Sequence, residues 1–123
     1  GQFVQMSLYR YSGCALNIDG EIMCWGYNYY GKNNAPEGTY LHVESGYEFS
    51  CALELDRTID CWGSQEYGQR HPPNGRFLQF DLGGQHGCAL TDNGEVMCWG
   101  NNEYGQSSPP NGSDLDHSTA CAN

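Results

Sequence analysis

The chain has 123 residues, which suits one domain, and its 15 acidic and 5 basic side chains give a formal net charge of −10. This charge argues against nucleic acid and anionic membranes as partners, because both are bound by clustered Lys and Arg. No run of 18 apolar residues occurs, so no membrane span is expected. The 17 glycines and 9 tyrosines favour short strands and tight turns over helices.

One pattern recurs three times at a spacing of 37 residues. Each copy has a Cys-Ala-Leu segment followed by a Cys-Trp-Gly segment. A fixed period of this size indicates stacked units that cover each other's apolar faces. We therefore predict a single domain, 1–123, with units 3–39, 40–76 and 77–112 and a C-terminal tail, 113–123. The two segments start at Cys14 and Cys24, at Cys51 and Cys61, and at Cys88 and Cys98.

Each unit is predicted to contain three strands. In the third copy these are 77–80, 88–91 and 95–99, since apolar and polar residues alternate in the first and a turn separates the other two. That turn is a three-residue loop, Asp92-Asn93-Gly94, whose last residue needs the left-handed backbone region that glycine prefers. Gly20 holds this position in the first copy, whereas the second copy has Arg57 there.

The loop length fixes which residues face each other across the hairpin. In all three copies it sets the two cysteines directly opposite, at a separation that a disulfide can span. Such regular spacing favours disulfides formed in an oxidising, extracellular compartment over free buried cysteines. The predicted bridges are Cys14–Cys24, Cys51–Cys61 and Cys88–Cys98.

The same register places each tryptophan opposite a small residue. Two interpretations of these tryptophans stay open, namely packing between units and stacking on a ligand. Turn-rich connectors follow, in which Pro36, Pro73 and Pro110 recur at the same period. The tryptophan pairs are Trp25 with Gly13, Trp62 with Ser50, and Trp99 with Gly87.

Residues 83–106 closely resemble a regulator-of-chromosome-condensation repeat, from the Gly-Gly pair through Cys-Ala-Leu and Cys-Trp-Gly to the Tyr-Gly-Gln end. The first two copies keep the cysteine anchors but lack the Gly-Gly pair. The resemblance covers residues 3–112 and implies an all-β fold of three propeller-type blades of short antiparallel strands. It implies recognition of a protein or ligand on a propeller face, not one chemistry.

Three blades are fewer than the four to eight of closed propellers. We therefore expect the chain to associate with itself, either as a homodimer that closes a six-blade ring or as an open head-to-tail filament. Cys121 is the odd seventh cysteine and is predicted to form an intermolecular disulfide. Asn111, in an Asn-Gly-Ser sequence, is a candidate for N-glycosylation or simply part of a turn.

No catalytic signature is evident in the sequence. The four histidines do not follow the repeat, and the acidic loops lack the ligand spacing of calcium sites. We therefore expect no enzyme activity, no metal and no cofactor.

The remaining function is binding, and two classes of ligand fit. A secreted, lectin-like module could hold glycans between repeated tyrosine and amide side chains. Alternatively, the tyrosine-rich surface could bind a protein or further copies of the chain. The loops that precede the hairpins differ between copies, which favours a protein, whereas the tyrosine and amide positions are kept in the copies, which favours glycans. We expect a glycan slightly ahead of a protein. The predicted glycan-binding residues are Asn28, Tyr30, Gln65, Tyr67, Asn102 and Tyr104.

Overall fold

The computed structural model describes residues 2–26, 34–63 and 71–102, which form three antiparallel sheets of three strands each. Each sheet is one blade, and its strands pair in chain order. The all-β, three-blade architecture predicted from the sequence is confirmed. Blade 1 is β1 (Phe3–Tyr9), β2 (Ser12–Asn17) and β3 (Ile22–Gly26); blade 2 is β4 (Tyr40–Ser45), β5 (Phe49–Glu54) and β6 (Ile59–Gly63); blade 3 is β7 (Phe77–Leu82), β8 (His86–Thr91) and β9 (Val96–Gly100).

The hairpin register agrees with the sequence prediction in every blade. Cys88 faces Cys98, and Leu90 faces Val96. The loop closes through a hydrogen bond of 2.8 Å from Thr91 N to the carbonyl of Glu95. All three predicted disulfides are present, Cys14–Cys24, Cys51–Cys61 and Cys88–Cys98, each with a Cα–Cα distance of 4.0 Å.

The first strand of each blade contains an irregularity that the alternation did not predict. The register shifts by one residue near its start, between Phe3 and Gln5 in blade 1, and Val4 is the extra residue. Leu41 and Leu78 are the corresponding residues of the other blades. A bulge turns the extra side chain away from the regular pleat, and all three of these apolar residues are exposed.

Each blade has two distinct faces. We call the face that bears the disulfide the cysteine face; in blade 1 it includes Cys14, Leu16 and Ile22. We call the opposite face, with the tryptophan, the tryptophan face; in blade 1 it includes Met6 and Trp25. The assignment follows from the pairing, since directly opposed residues point to the same side and neighbours along a strand to opposite sides.

The core lies between the blades. The cysteine face of one blade packs on the tryptophan face of the next, and this happens twice. Between blades 1 and 2 the buried residues are Cys14, Leu16, Tyr40, Val43 and Ala52. Between blades 2 and 3 they are Phe49, Cys51, Leu53, Ile59, Phe77, Phe80, Ala89 and Trp99.

Backbone hydrogen bonds join the hairpin tips of blades 1 and 2 to the next blade. The N–H of Tyr40 donates to the carbonyl of Gly20 at 2.7 Å, and the N–H of Phe77 donates to that of Arg57 at 2.9 Å. Gly20 and Arg57 both adopt positive φ, so the loop residue in the left-handed region also presents the carbonyl that links the blades.

Candidate ligand-binding surface

Three turns meet at the end of the blades opposite the hairpin tips. They connect the first and second strands of each blade and comprise residues 9–11, 46–48 and 83–85, which we call the turn surface. The N–H of Tyr47 donates to the carbonyl of Gly84 at 3.0 Å and so ties the second turn to the third. A Cβ on Gly84 would lie 3.0 Å from Oη of Tyr9, which shows that the first turn also reaches the third.

An aromatic and cationic cluster forms the centre of this surface. The rings of Tyr9 and Tyr47 lie 6.2 Å apart, and the Arg10 guanidinium lies 4.9 Å from the centre of the Tyr47 ring. This geometry allows a cation–π contact, which restrains an otherwise flexible side chain. Arg10 has φ of 53°, unusual for a residue with a side chain, and Tyr11 beside it is exposed.

Of the six residues predicted to bind a glycan, only Asn102 lies among those the structure describes. It is exposed and directly follows Asn101, which is buried and anchored to the third turn. Asn101 donates through Nδ2 to Oε1 of Gln85 at 2.9 Å and through its backbone N–H to the Gln85 carbonyl at 2.8 Å. Asn102 therefore adjoins the turn surface. Outside the described residues lie Asn28, Tyr30, Gln65, Tyr67 and Tyr104, together with Asn111 and Cys121.

His86 supports the third turn. Its ring lies against Gly83, where an added Cβ would be 2.5 Å from Cε1. Burial lowers the pKa of His86, although the charge of Asp81 opposes this shift. The lowered pKa favours the neutral imidazole, and the ring is positioned to support the turn.

A close histidine–carboxylate pair lies in blade 2. His42 Nε2 and Glu44 Oε2 are 2.7 Å apart, and the His42 ring meets Phe80 of blade 3 edge-on at 5.4 Å. This contact holds the imidazole against the neighbouring blade. The described residues include no cluster of three or more potential metal ligands and no helix long and apolar enough to cross a membrane.

The predicted positions of the tryptophans opposite small residues are confirmed. A Cβ on Gly87 would lie 2.5 Å from Cζ2 of Trp99, and one on Gly13 would lie 2.8 Å from Cζ2 of Trp25. The indole therefore lies across the bare backbone. Trp99 is buried between blades and Trp62 is half-buried there, which supports the packing interpretation, but Trp25 is exposed.

These features define a bladed, all-β repeat protein with a polar and aromatic surface at one end. The family model of the regulator of chromosome condensation (RCC1) repeat matches residues 3–32, 41–69 and 77–106. The chain belongs to this family. No curated protein sequence matches the chain.

Several solved structures are similar to it. The ectodomain of the Physcomitrella patens receptor kinase CR4 is 29% identical, with a TM-score of 0.67 over 80% of this chain and 29% of its own length. The ectodomain of the Arabidopsis thaliana receptor kinase ACR4 is 21% identical, with a TM-score of 0.64 over 80% of this chain and 36% of its own. Yeast RCC1 (Prp20), solved bound to Kap60, is 17% identical, with a TM-score of 0.68 over 80% of this chain and 29% of its own. The chain thus spans about a third of the length of these structures or less.

Proposed function

We propose that this chain is an extracellular, non-enzymatic recognition module that binds a protein ligand through the turn surface. The observation that supports it most is the cluster of Tyr9, Arg10 and Tyr47, in which side chains from two blades present a cation and aromatic rings together. Tyr and Arg are enriched at the energetic centres of protein interfaces.

The extracellular assignment rests on two observations. Three disulfides would be reduced in the cytosol but persist in an oxidising compartment. The similar chain from Physcomitrella patens is the ectodomain of a receptor kinase.

The charge of the chain indicates what kind of segment the turn surface would bind. Arg10 is one of only 5 basic residues in a chain of net charge −10. A carboxylate would pair with its guanidinium, and an adjoining apolar or aromatic group would pack on Tyr11 and Tyr47. The proposed ligand is therefore a protein segment with an acidic residue next to an apolar one.

A glycan is the second candidate ligand. It is favoured by exposed Asn102, which adjoins the turn surface that bears Tyr9 and Tyr47, since a sugar could stack on a ring and hydrogen bond to an amide. Self-association, as a homodimer or a filament, would place several turn surfaces in one particle and raise the avidity for either ligand.

The test is a selection from a random peptide library, run in parallel with a glycan array, using the oxidised chain. We expect enrichment of acidic–apolar peptides, and about tenfold weaker binding of those peptides by the Arg10→Ala variant. Arg76→Ala is the matched control, because Arg76 is an exposed arginine at the opposite, hairpin end. Selected peptides that bind the Arg10→Ala variant as well as the original chain, or binding to glycans alone, would refute the protein-ligand proposal.

A further inference from the structure

The tryptophan face of blade 1 is apolar and is not covered by the described residues. Met6 on this face is 65% exposed, whereas its counterparts Val43 and Phe80 are 0% and 5% exposed. Trp25 is 46% exposed, against 1% for Trp99. A groove of about 620 Å³ lies on this face. Apolar patches of this kind mark interaction sites, because leaving them in water is unfavourable. The groove is lined by Phe3, Val4, Gln5, Met6, Ala15, Met23 and Trp25.

The other two blades show what such a face binds, namely the cysteine face of a neighbouring blade. Where blade 1 covers blade 2, the Gln5 side chain makes two hydrogen bonds to the backbone of Val43. Its Nε2 donates to the carbonyl at 2.7 Å, and its Oε1 accepts from the N–H at 2.8 Å. This pair of bonds fixes the register of the two blades. Leu16 of the same face lies in the buried cluster.

Blade 3 presents a cysteine face of the same design. Gln79 is the counterpart of Gln5 and is exposed, and Leu90 is the counterpart of Leu16 but is only half-buried. A depression of about 230 Å³ lies on this face between Gln79 and Val96. The tryptophan face of blade 1 and the cysteine face of blade 3 are therefore complementary surfaces at the two ends of the chain.

We propose that the tryptophan face of blade 1 binds the cysteine face of blade 3 of a second copy of this chain. In this interface Leu90 packs on Met6. The Gln79 side chain makes two hydrogen bonds to the backbone of Met6, as the Gln5 side chain does to the backbone of Val43. The carbonyl of Gly94 accepts a hydrogen bond from the N–H of Phe3 in the second copy. This bond corresponds to the one that the carbonyl of Gly20 accepts from the N–H of Tyr40 within the chain. The interface does not involve the turn surface, so it is independent of the ligand proposed there.

The two sides of this interface are different surfaces, so the contact is heterologous. It either closes into a ring or continues as a filament. Because each copy is strongly acidic, the copies repel one another at low ionic strength. Added salt screens this repulsion and should strengthen the association.

The first experiment is sedimentation velocity of the oxidised chain at several protein and salt concentrations. We expect assembly that increases with both. Met6→Lys should weaken association by about 30-fold or more, since it places a charge in an apolar contact. Leu55→Lys is the matched control and should have no effect. Leu55 is 61% exposed, close to the value for Met6, but it lies at the hairpin tip of blade 2, outside both proposed faces.

The second experiment tests the head-to-tail orientation. Leu90→Lys should weaken self-association by a similar factor, and Gln79→Ala, at an exposed position, should weaken it less and without affecting the fold. A mixture of the Met6→Lys and Leu90→Lys variants retains one intact pair of faces and should form a 1:1 dimer and nothing larger. Circular dichroism and disulfide mapping establish that each variant is folded.

Three results would overturn the proposal. The first is a chain that stays monomeric at every concentration and salt level. The second is equal loss of association for Leu55→Lys and Met6→Lys. The third is loss of association in Met6→Lys alone, with Leu90→Lys and Gln79→Ala unaffected, since this would mean that two tryptophan faces meet each other.

Discussion

Arg57 occupies a backbone conformation that the other two hairpins give to glycine. Its φ is 74°, compared with 86° for Gly20 and 87° for Gly94. A side chain in this region crowds the following carbonyl. Arg57 offsets part of that cost through a hydrogen bond of 3.3 Å from Nη1 to the carbonyl of Leu78, at an exposed position.

Arg57→Gly is expected to raise the free energy of unfolding by about 0.5–1 kcal/mol, because relief of backbone strain exceeds the added entropy of the unfolded chain. Equilibrium denaturation measures the change. The matched control is Gly94→Ala. Its Cβ would meet nothing within 4 Å, so its expected loss of about 1 kcal/mol is due to the backbone alone. A loss of stability in Arg57→Gly would contradict the prediction.

Asp60 lies on the tryptophan face of blade 2, where the equivalent residues are Met23 and Met97. Burial raises its pKa, and a hydrogen bond from Tyr40 partly opposes that shift. The pKa of Tyr40 is also raised, first by burial and then by the charge of Asp60. The carboxylate is therefore a mildly unfavourable charge between two blades.

This arrangement predicts a pH-dependent effect of Asp60→Asn. The pKa of Asp60 is higher in the folded state than in the unfolded state, so the folded state binds the proton more tightly. The contribution of Asp60 to stability therefore falls as the pH rises through its pKa in the folded state. The variant should be more stable than the original chain at pH 7 by less than about 1 kcal/mol, because solvent screens a partly exposed carboxyl. Thermal unfolding at pH 7 and pH 4 should show this advantage disappearing in acid; an advantage that grows in acid would reverse the assigned shift.

The hairpins are the elements that the sequence predicts best. A three-residue loop and a glycine in the left-handed region define a register within about a dozen residues, and three copies agree on it. The positions of the disulfides and of the glycines opposite tryptophans follow from that register. These contacts are local, so no knowledge of the tertiary fold is needed to infer them.

The bulges show where alternation fails as a guide. Each first strand starts with two adjacent large apolar residues, such as Phe3-Val4, and only the first has a buried counterpart in blades 2 and 3. The doublet repeats at the 37-residue period, which is the signal that could have identified the extra residue. A period-2 pattern by itself contains no information on which of two apolar neighbours leaves the pleat.

The three disulfides are matched in loop length but not in surroundings. Each joins residues with a sequence separation of 10, so each should contribute about 2–3 kcal/mol through the unfolded state. Each of the two later bridges has one fully buried cysteine, Cys51 or Cys98, but only Cys51 and Cys61 contact the apolar cluster between blades 2 and 3.

Replacing Cys51 and Cys61 together with alanine should therefore cost about 1 kcal/mol more than the same change at Cys88 and Cys98, because it also removes packing from the cluster between two blades. Urea denaturation of the two double variants, at a protein concentration where the chain is monomeric, gives the comparison. Equal losses would mean that the effect comes from chain entropy alone.

At the scale of the whole molecule, stability comes from the contacts between blades. Blade 2 is covered on both faces, whereas the described residues cover blades 1 and 3 on one face each. In stacked repeats the central unit gains interface energy from two neighbours.

Amide hydrogen exchange should reflect this difference. In the monomeric chain, β5 should exchange slowest, and β2, which has the same sequence pattern, should exchange at least about tenfold faster. Mass spectrometry after timed exchange measures both strands. Equal protection would mean that the blades open together as one unit.

The turn surface exists only when the three blades are stacked. Tyr9, Tyr47 and Gly84 belong to three different repeats, and the sequence shows that their turns vary without showing that they meet. Gly84 has no side chain that would obstruct Tyr9, and the stacking of blades brings the three turns to one end. The predicted glycan-binding residues repeat from copy to copy, whereas the chemistry of the turn surface lies in residues that differ between the copies.

The repeat, the strands, the hairpin register and the disulfides could be inferred from the sequence, because they depend on contacts between residues close together in the chain. Which faces are covered depends instead on how the blades stack. Met6, Val43 and Phe80 are apolar residues at one repeat position, yet their exposure differs completely according to the neighbouring blade. Burial depends on contacts between residues distant in sequence, and identical repeats therefore cannot reveal which of their faces has no neighbour.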